Sequence, residues 1–257
     1  MQKARQTASD LAELIRVANG HSGKHFTTAI IAAAGLSSRM QSSVSKQLLE
    51  IDGIPVLART LLAYQAAGTV DEIVLVARRE DFDEFLELAK RFHITKLKRI
   101  TQGGRTRQDS VRLGLSVLSP RTRYVAIADG ARCLITPEQI DRVNQVAYRT
   151  QAASAGVVAT DTVKIVDKKA RTVSSPDRST VWLAQTPQTF SLPLYRAAAY
   201  SAKEEGVDAT DDNALVERIG RSVTMVDCGK ENMKITSPGD IELARAILSL
   251  REKEEKK

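Results

Sequence analysis

Three short stretches and a handful of cations carry residue types and spacings suited to chemistry on an anion. The first stretch is AIIAAAGLSSRM, residues 29–40, an apolar run that gives way to a small-residue turn and then to Arg39. Such a turn could meet a phosphate, yet it holds a single glycine, so neither G-x-G-x-x-G nor G-x-x-x-x-G-K-[ST] fits and the loop belongs to another class. The second is QGGRTRQDSV, residues 102–111. There Gly103 and Gly104 permit close approach of backbone to a ligand, and Arg107 and Ser110 follow at the start of a helix whose amides favour an anion or a polar base edge. The third is VAIADGAR, residues 125–132, a buried strand that ends on Asp129. A carboxylate there is costly unless it is paired or binds a metal, and a hard cation such as Mg²⁺ suits a lone carboxylate supplemented by phosphate oxygens. Each feature also has a plain reading: Gly103 and Gly104 as a turn only, Asp129 as a helix N-cap, and any one lysine or arginine as a solvated surface charge.

The elements that must position these residues follow from periodicity. Apolar runs of strand length at TTAIIAAA, EIVLVA, KLKRIT, RYVAIAD and SVTMVD alternate with helix-length periodic segments such as IPVLARTLLAYQAAG and DFDEFLELAKRF. That alternation predicts an α/β fold on a mostly parallel twisted sheet. Ligands of such sheets bind beyond the carboxyl ends of the strands, so GLSSRM, QGGRTRQDSV and DGARCL are expected to converge on one crevice. The segment SAGVVATDTVKIVDKKARTVSSPDRSTVWLAQTPQTF, residues 154–190, has short β-branched runs broken by polar turns and reads as an antiparallel arm outside the parallel sheet. The first 25 residues read as a short amphipathic helix with a frayed linker, because DLAELIRVA carries two acids and an arginine where a secretory signal would be apolar. The tail LREKEEKK reads as a solvated, frayed helix end.

Composition narrows the function classes. The 257 residues carry 38 Lys and Arg against 31 Asp and Glu, a net charge of +7, with the two signs interleaved along the chain. Aromatics make up only 4%, too sparse for the stacking platforms of single-strand nucleic-acid binders, so a small polyanion is the expected partner, with no nucleic acid and no membrane. Two cysteines, Cys133 and Cys228, lack metal-ligand spacing, suit a reducing cytosol and read as buried small hydrophobes. The histidines His21, His25 and His93 fall outside every motif and read as surface residues.

In order along the chain, AIIAAAGLSSRM, SKQLLEIDGIPVLARTL, GGRTRQDSV, DGAR, TDTVKI, WLAQTPQTF, ATDDNALVE and NMKITSPGDIELA resemble the 2-C-methyl-D-erythritol 4-phosphate cytidylyltransferases over residues 27–250. The resemblance implies a Rossmann-like nucleotidyltransferase fold, with helices on both sheet faces and a protruding antiparallel β-arm at about 157–186. The extension would cover 1–25, the cytidylyltransferase domain 26–250 and the charged tail 251–257. CTP is the implied donor, Mg²⁺ the cofactor, and a cytoplasmic homodimer with exchanged arms the assembly. Ala33, Ala34 and Gly35 would lie against the cytidine and triphosphate, with Gly103, Gly104 and Ser110 at the base. Arg39 and Lys46 would stabilise the transition state, while Arg178 and Lys234 position the incoming phosphate. Asp129, Arg132, Thr162 and Thr210 would surround the acceptor, with Asp129 also facing the metal and Arg178 and Thr162 acting across the dimer interface. The chain departs from the family pattern at Gly130, more often alanine, and at Cys133, more often proline. Ribitol 5-phosphate cytidylyltransferases share the fold and differ in the polyol. A rival of another class is a non-catalytic nucleotide-binding protein, which should have lost one or more of the phosphate cations.

Overall fold

A computed structural model of the protein describes residues 25–35 and 45–255. The predicted N-terminal helix, except His25, and Arg39 lie outside these residues. The elements, in chain order, are β1 (Thr27–Ala32), β2 (Glu50–Ile51), β3 (Ile54–Pro55), α1 (Val56–Ala66), β4 (Glu72–Ala77), α2 (Phe82–Arg91), β5 (Leu97–Gln102), α3 (Arg107–Ser116), β6 (Tyr124–Asp129), α4 (Pro137–Thr150), β7 (Ala152–Val158), β8 (Ile165–Val166), β9 (Thr172–Ser174), β10 (Trp182–Ser191), α5 (Leu192–Glu204), α6 (Asp212–Arg218), β11 (Thr224–Asp227) and α7 (Pro238–Glu255).

Among the described residues seven strands form one sheet in the order β11-β7-β10-β6-β1-β4-β5. The pairs β1–β4, β1–β6, β4–β5 and β7–β11 are parallel, and only β10 runs against its neighbours β6 and β7. All five apolar runs singled out from the sequence are strands of this sheet. The central ones are apolar on both faces because helices cover both. Along β1, Ala29 and Ile31 face a core shared with Leu57 and Leu61 of α1 and Phe85 of α2. Ile30 faces the opposite core with Val111 of α3, Tyr195 of α5 and Val216 of α6.

The arm differs from its sequence reading. The ends of the 154–190 segment belong to the main sheet: Ala152–Val158 pairs with Trp182–Ser191, and Ser154, Ala155 and Phe190 are buried. Alanine, serine and glycine carry weak strand signals, and burial between packed layers overrode them. Only β8 and β9 stand apart, as a two-stranded hairpin whose residues are all exposed, Ile165, Val166 and Val173 included. The tail is a helix end with residues 252–254 exposed, as expected, but it is less frayed than its sequence reading. α7 continues to Glu255, and Arg251 is pinned to Glu231 at 2.9 Å and to the Leu134 carbonyl at 2.8 Å. His25 is half-buried and stacks on Tyr148, whereas His93 is exposed at a positive φ of 54°. Cys133 and Cys228 are buried thiols, and burial pushes Cys133 up to about 11. No helix among the described residues is long and apolar enough to cross a membrane.

α4 shows how local sequence fixes an element. Thr136 accepts from the Gln139 amide and the Gln139 side chain accepts from the Thr136 amide, a reciprocal cap that precedes Pro137 at the first helical position. The buried face of α4 then presents Asn144, fully enclosed, which donates to Thr69 Oγ1 at 2.8 Å and accepts from Thr189 Oγ1 at 2.8 Å. One side chain thus ties α4 to the turn before β4 and to the reversed strand β10. Replacing it leaves the buried Thr189 hydroxyl without its acceptor and cuts the link to Thr69, whose hydroxyl keeps its bond to Asp141, so Asn144→Ala is expected to lower unfolding free energy by about 1–3 kcal/mol. Urea denaturation checks this, and an unchanged midpoint would refute the bridge.

Candidate active site

A cleft of about 590 Å³ opens at the carboxyl ends of β1, β4, β5 and β6. Ala34 and Gly35 enter it from β1, Arg78 and Arg79 from β4, the Gly103–Arg107 loop from β5, and Asp129 from β6. Lys46 and Gln47 come from the segment before β2, and Lys234 from the segment before α7. Among the described residues the lining holds six cations, Lys46, Arg78, Arg79, Arg105, Arg107 and Lys234, against two acids, Glu80 and Asp129, and no histidine or cysteine.

The walls are set by close backbone packing. A side chain at Gly103 would collide with Ala34 Cβ, so the loops after β1 and β5 lie against each other only because this position is glycine, and one at Gly104 would collide with Asp109 Cβ in the first turn of α3. The Gly104 amide donates to Ser110 Oγ at 3.0 Å, and Ser110 Oγ donates to the Thr106 carbonyl at 2.9 Å. Thr106 caps α3 by accepting from the Asp109 amide. Ser110, expected at a base edge, is therefore buried and holds the loop that would meet the base. Gly130 also fits its site closely, since a Cβ there would lie 3.2 Å from the Ala32 carbonyl and from Gln47 Oε1.

The electrostatic centre is Asp129, 8% exposed. Lys234 Nζ lies 2.9 Å from its carboxylate, Arg107 Nε 3.5 Å and Arg132 Nε 3.6 Å. Burial works against this charge, and Lys234, Arg107 and Arg132 together override it and hold the carboxyl below its ordinary value. Arg107 continues the chain of charges: its Nη1 lies 2.7 Å from Asp212, the buried first residue of α6, whose other oxygen accepts from Tyr195 at 2.5 Å. Burial pushes the Asp212 carboxyl up against the pull of Arg107 and Tyr195. Burial alone would weaken the Arg107 charge, but Asp212 and Asp129 outweigh it and move the pKa upward.

The expected residues divide into two groups. Ala34, Gly35, Lys46, Gly103, Gly104, Ser110, Asp129 and Lys234 line one cleft, as the strand-end rule requires. Arg132 reaches it through Asp129 and donates to the Asn232 carbonyl at 2.7 Å. Ala33 is 1% exposed, its amide bonded to the Val76 carbonyl. Arg178, Thr162 and Thr210 are exposed and outside the cleft lining; Arg178 donates to the Thr160 carbonyl at 3.1 Å from a 3₁₀ turn beyond the hairpin. Sequence reasoning missed Arg78 and Arg79, which the same rule applied to the end of EIVLVA would have found. It also missed Asp212, whose signal was the Asp-Asp pair opening an apolar helix. Among the described residues no group of three or more His, Cys, Asp or Glu could hold a metal, so Asp129 is a lone carboxylate already met by cations.

The IspD family, 2-C-methyl-D-erythritol 4-phosphate cytidylyltransferase, matches residues 27–250. The chain is 42% identical over 225 residues to the protein of that name from Syntrophus aciditrophicus, covering 87% of this chain and 96% of the relative. Against the one from Microcystis aeruginosa identity is 41% over 222 residues, covering 86% and 98%. Among solved structures, the 4-diphosphocytidyl-2C-methyl-D-erythritol synthase of Anaerococcus prevotii superposes with a TM-score of 0.79 at 30% identity, covering 88% of this chain and 97% of that one. The cytidylyltransferase of Thermus thermophilus gives 0.70 at 28%, covering 86% and 98%.

The charge cluster makes a titration prediction. A carboxyl depressed in the folded state adds stability above its ordinary pKa of ~3.9, and that stability is lost as pH falls through the folded value. Lys234→Met removes the nearest cation, so the Asp129 carboxyl is expected to titrate higher than in wild type. Carboxyl ¹³C NMR measures it directly. An unshifted Asp129 would show that the pair carries no such weight.

Proposed function

The chain belongs to the 2-C-methyl-D-erythritol 4-phosphate cytidylyltransferase family, and on that premise we propose that it transfers the cytidylyl group of CTP to 2-C-methyl-D-erythritol 4-phosphate with release of pyrophosphate. The observation that carries this reading is the cleft at the strand ends, walled by the two glycines of the β5 loop and lined, among the described residues, by six cations and by neither histidine nor cysteine. In the reaction an oxygen of the acceptor's phosphate forms a bond to the α-phosphorus of CTP. The bond from that phosphorus to the bridging oxygen breaks, and pyrophosphate leaves with the electron pair. A phosphate monoester is already an anion near neutral pH, so no group need remove a proton. What the protein must supply is position and positive charge where negative charge grows.

In this reading Lys46 and Arg39 face the triphosphate, and Lys234 and Arg178 hold the attacking phosphate. The backbone near Gly104 accepts from the exocyclic amine that distinguishes cytosine from uracil. Arg132, Thr162 and Thr210 contact the acceptor, beside Asp129. Mg²⁺ fits as a companion of CTP rather than as a resident ion, because Asp129 offers one carboxylate and the triphosphate oxygens would supply the rest. Purified protein with Mg²⁺ is expected to release pyrophosphate with CTP and methylerythritol phosphate, and not with the other nucleoside triphosphates. Faster release with ribitol 5-phosphate would overturn the acceptor, and no release with any pair would overturn the enzyme reading.

We further propose a homodimer in which the exposed hairpin of one subunit reaches the partner's cleft. Support comes from the apolar, solvent-exposed residues Ile165, Val166, Val173 and Leu183, and from the distance in sequence and space that keeps Arg178 outside its own cleft lining. Lys46→Ala and Arg178→Ala homodimers should each be nearly inactive. In a mixed dimer both lesions fall in one site and leave the other whole, so subunit exchange should restore activity to roughly a quarter of wild type. No recovery despite demonstrated heterodimers would refute a shared site.

A further inference from the structure

The loop between α5 and α6, residues 205–211, contains Thr210, one of the residues expected at the acceptor, and it has no sheet partner. Glu205 at its start pairs with Arg218 of α6 at 2.6 Å, and its middle is held by two consecutive residues of α3. Gln108 Nε2 donates to the Val207 carbonyl at 3.1 Å, and Gln108 Oε1 accepts from the Ala209 amide at 3.0 Å. Arg107, one residue earlier, pairs with Asp212 just beyond the loop. The far end is fixed again by Gln188 of β10, which accepts from the Asp212 and Asn213 amides and donates to Asp211. Thr210 is left exposed between these two clamps.

Packing supplements the Gln108 clamp without fixing the backbone of residues 207 and 209 by itself. Val207 and Ala209 rest against the edge of the core, but Gln108 and Val207 also line a cavity of about 280 Å³ between α3 and α5, so packing there is incomplete and the two hydrogen bonds carry part of the loop's placement. The same first turn of α3 shapes the nucleotide wall: Thr106 caps it, and Ser110 accepts from the Gly104 amide. The glycine loop on one side and the Thr210 loop on the other are therefore attached to one rigid helix start.

We infer that Gln108 is a positioning residue for the acceptor, setting the height of Thr210 against the nucleotide loop through its two hydrogen bonds to residues 207 and 209. The inference rests on the cytidylyltransferase reading and on Thr210 meeting the acceptor phosphate. A positioning residue on this side of α3 should change acceptor capture and leave nucleotide capture alone, because the Gly104–Ser110 bond and the Thr106 cap do not involve it.

The test is steady-state kinetics of the full chain with CTP and methylerythritol phosphate. Gln108→Met keeps the length of the side chain and removes both hydrogen bonds. It is expected to raise KM for the acceptor about tenfold, with KM for CTP within about twofold and kcat within about threefold of wild type. Gln108→Glu still accepts from the Ala209 amide but cannot donate to the Val207 carbonyl, so its acceptor KM should fall between the two. An unchanged acceptor KM in Gln108→Met, or equal rises in both KM values, would overturn the inference. A wild-type protein that releases no pyrophosphate would instead overturn the functional reading, which separates the two failures.

Discussion

The architecture of the cleft depends on one carboxylate. Asp129 ends β6 almost out of contact with water, where an uncompensated charge would be prohibitive. Its compensation comes from three places far apart in sequence: Arg107 in the first turn of α3, Arg132 in the turn after β6, and Lys234 in the segment leading to α7. Each cation brings its own element to the strand end. Arg107 is further tied to Asp212 and so to α6, and Arg132 to the carbonyl of Asn232, whose amide bonds Gln185 and the Thr186 carbonyl on β10. A single buried charge therefore gathers four helices and strands around the cleft.

Sheet topology makes that gathering possible. Six of the seven strands run the same way, and β10 alone is reversed between β6 and β7. The carboxyl ends of β1, β4, β5 and β6 are thereby neighbours, and the loops that follow them share one space. The distances in that space are short enough that side chains are excluded at Gly103 and Gly104, where Ala34 and Asp109 stand in the way. Glycine here serves close approach of two loops, which explains how a turn with one glycine of its own can wall a nucleotide-sized cleft.

The charge balance suits phosphoryl chemistry better than acid–base chemistry. Among the described residues the cleft offers cations in excess and neither histidine nor cysteine, and its buried acid, Asp129, is held ionised by three cations. Such a site can cradle a triphosphate and a phosphate monoester together, with the cations doing for the ligands what they do for Asp129 in their absence. The exposed apolar hairpin belongs to a different problem, since it makes no core within its own chain.

By itself the sequence determined the strands and helices whose periodicity is strong, the strand-end loops that carry GLSSRM, QGGRTRQDSV and DGAR, and the family. These are local facts: β-branched runs, glycine pairs and a carboxylate at the end of an apolar run each have a physical meaning within a few residues. The tertiary structure decided what depends on distant partners. It put Ala152–Ala155 and Phe190 into the central sheet against their weak local signals, because burial between layers outweighs propensity. It also turned Ser110 inward onto Gly104, placed Arg78 and Arg79 at the cleft, and joined Arg107 to Asp212 across 105 residues of chain. No spacing in the sequence encodes that last pair, because the partner of a buried charge is fixed only when the chain closes around it.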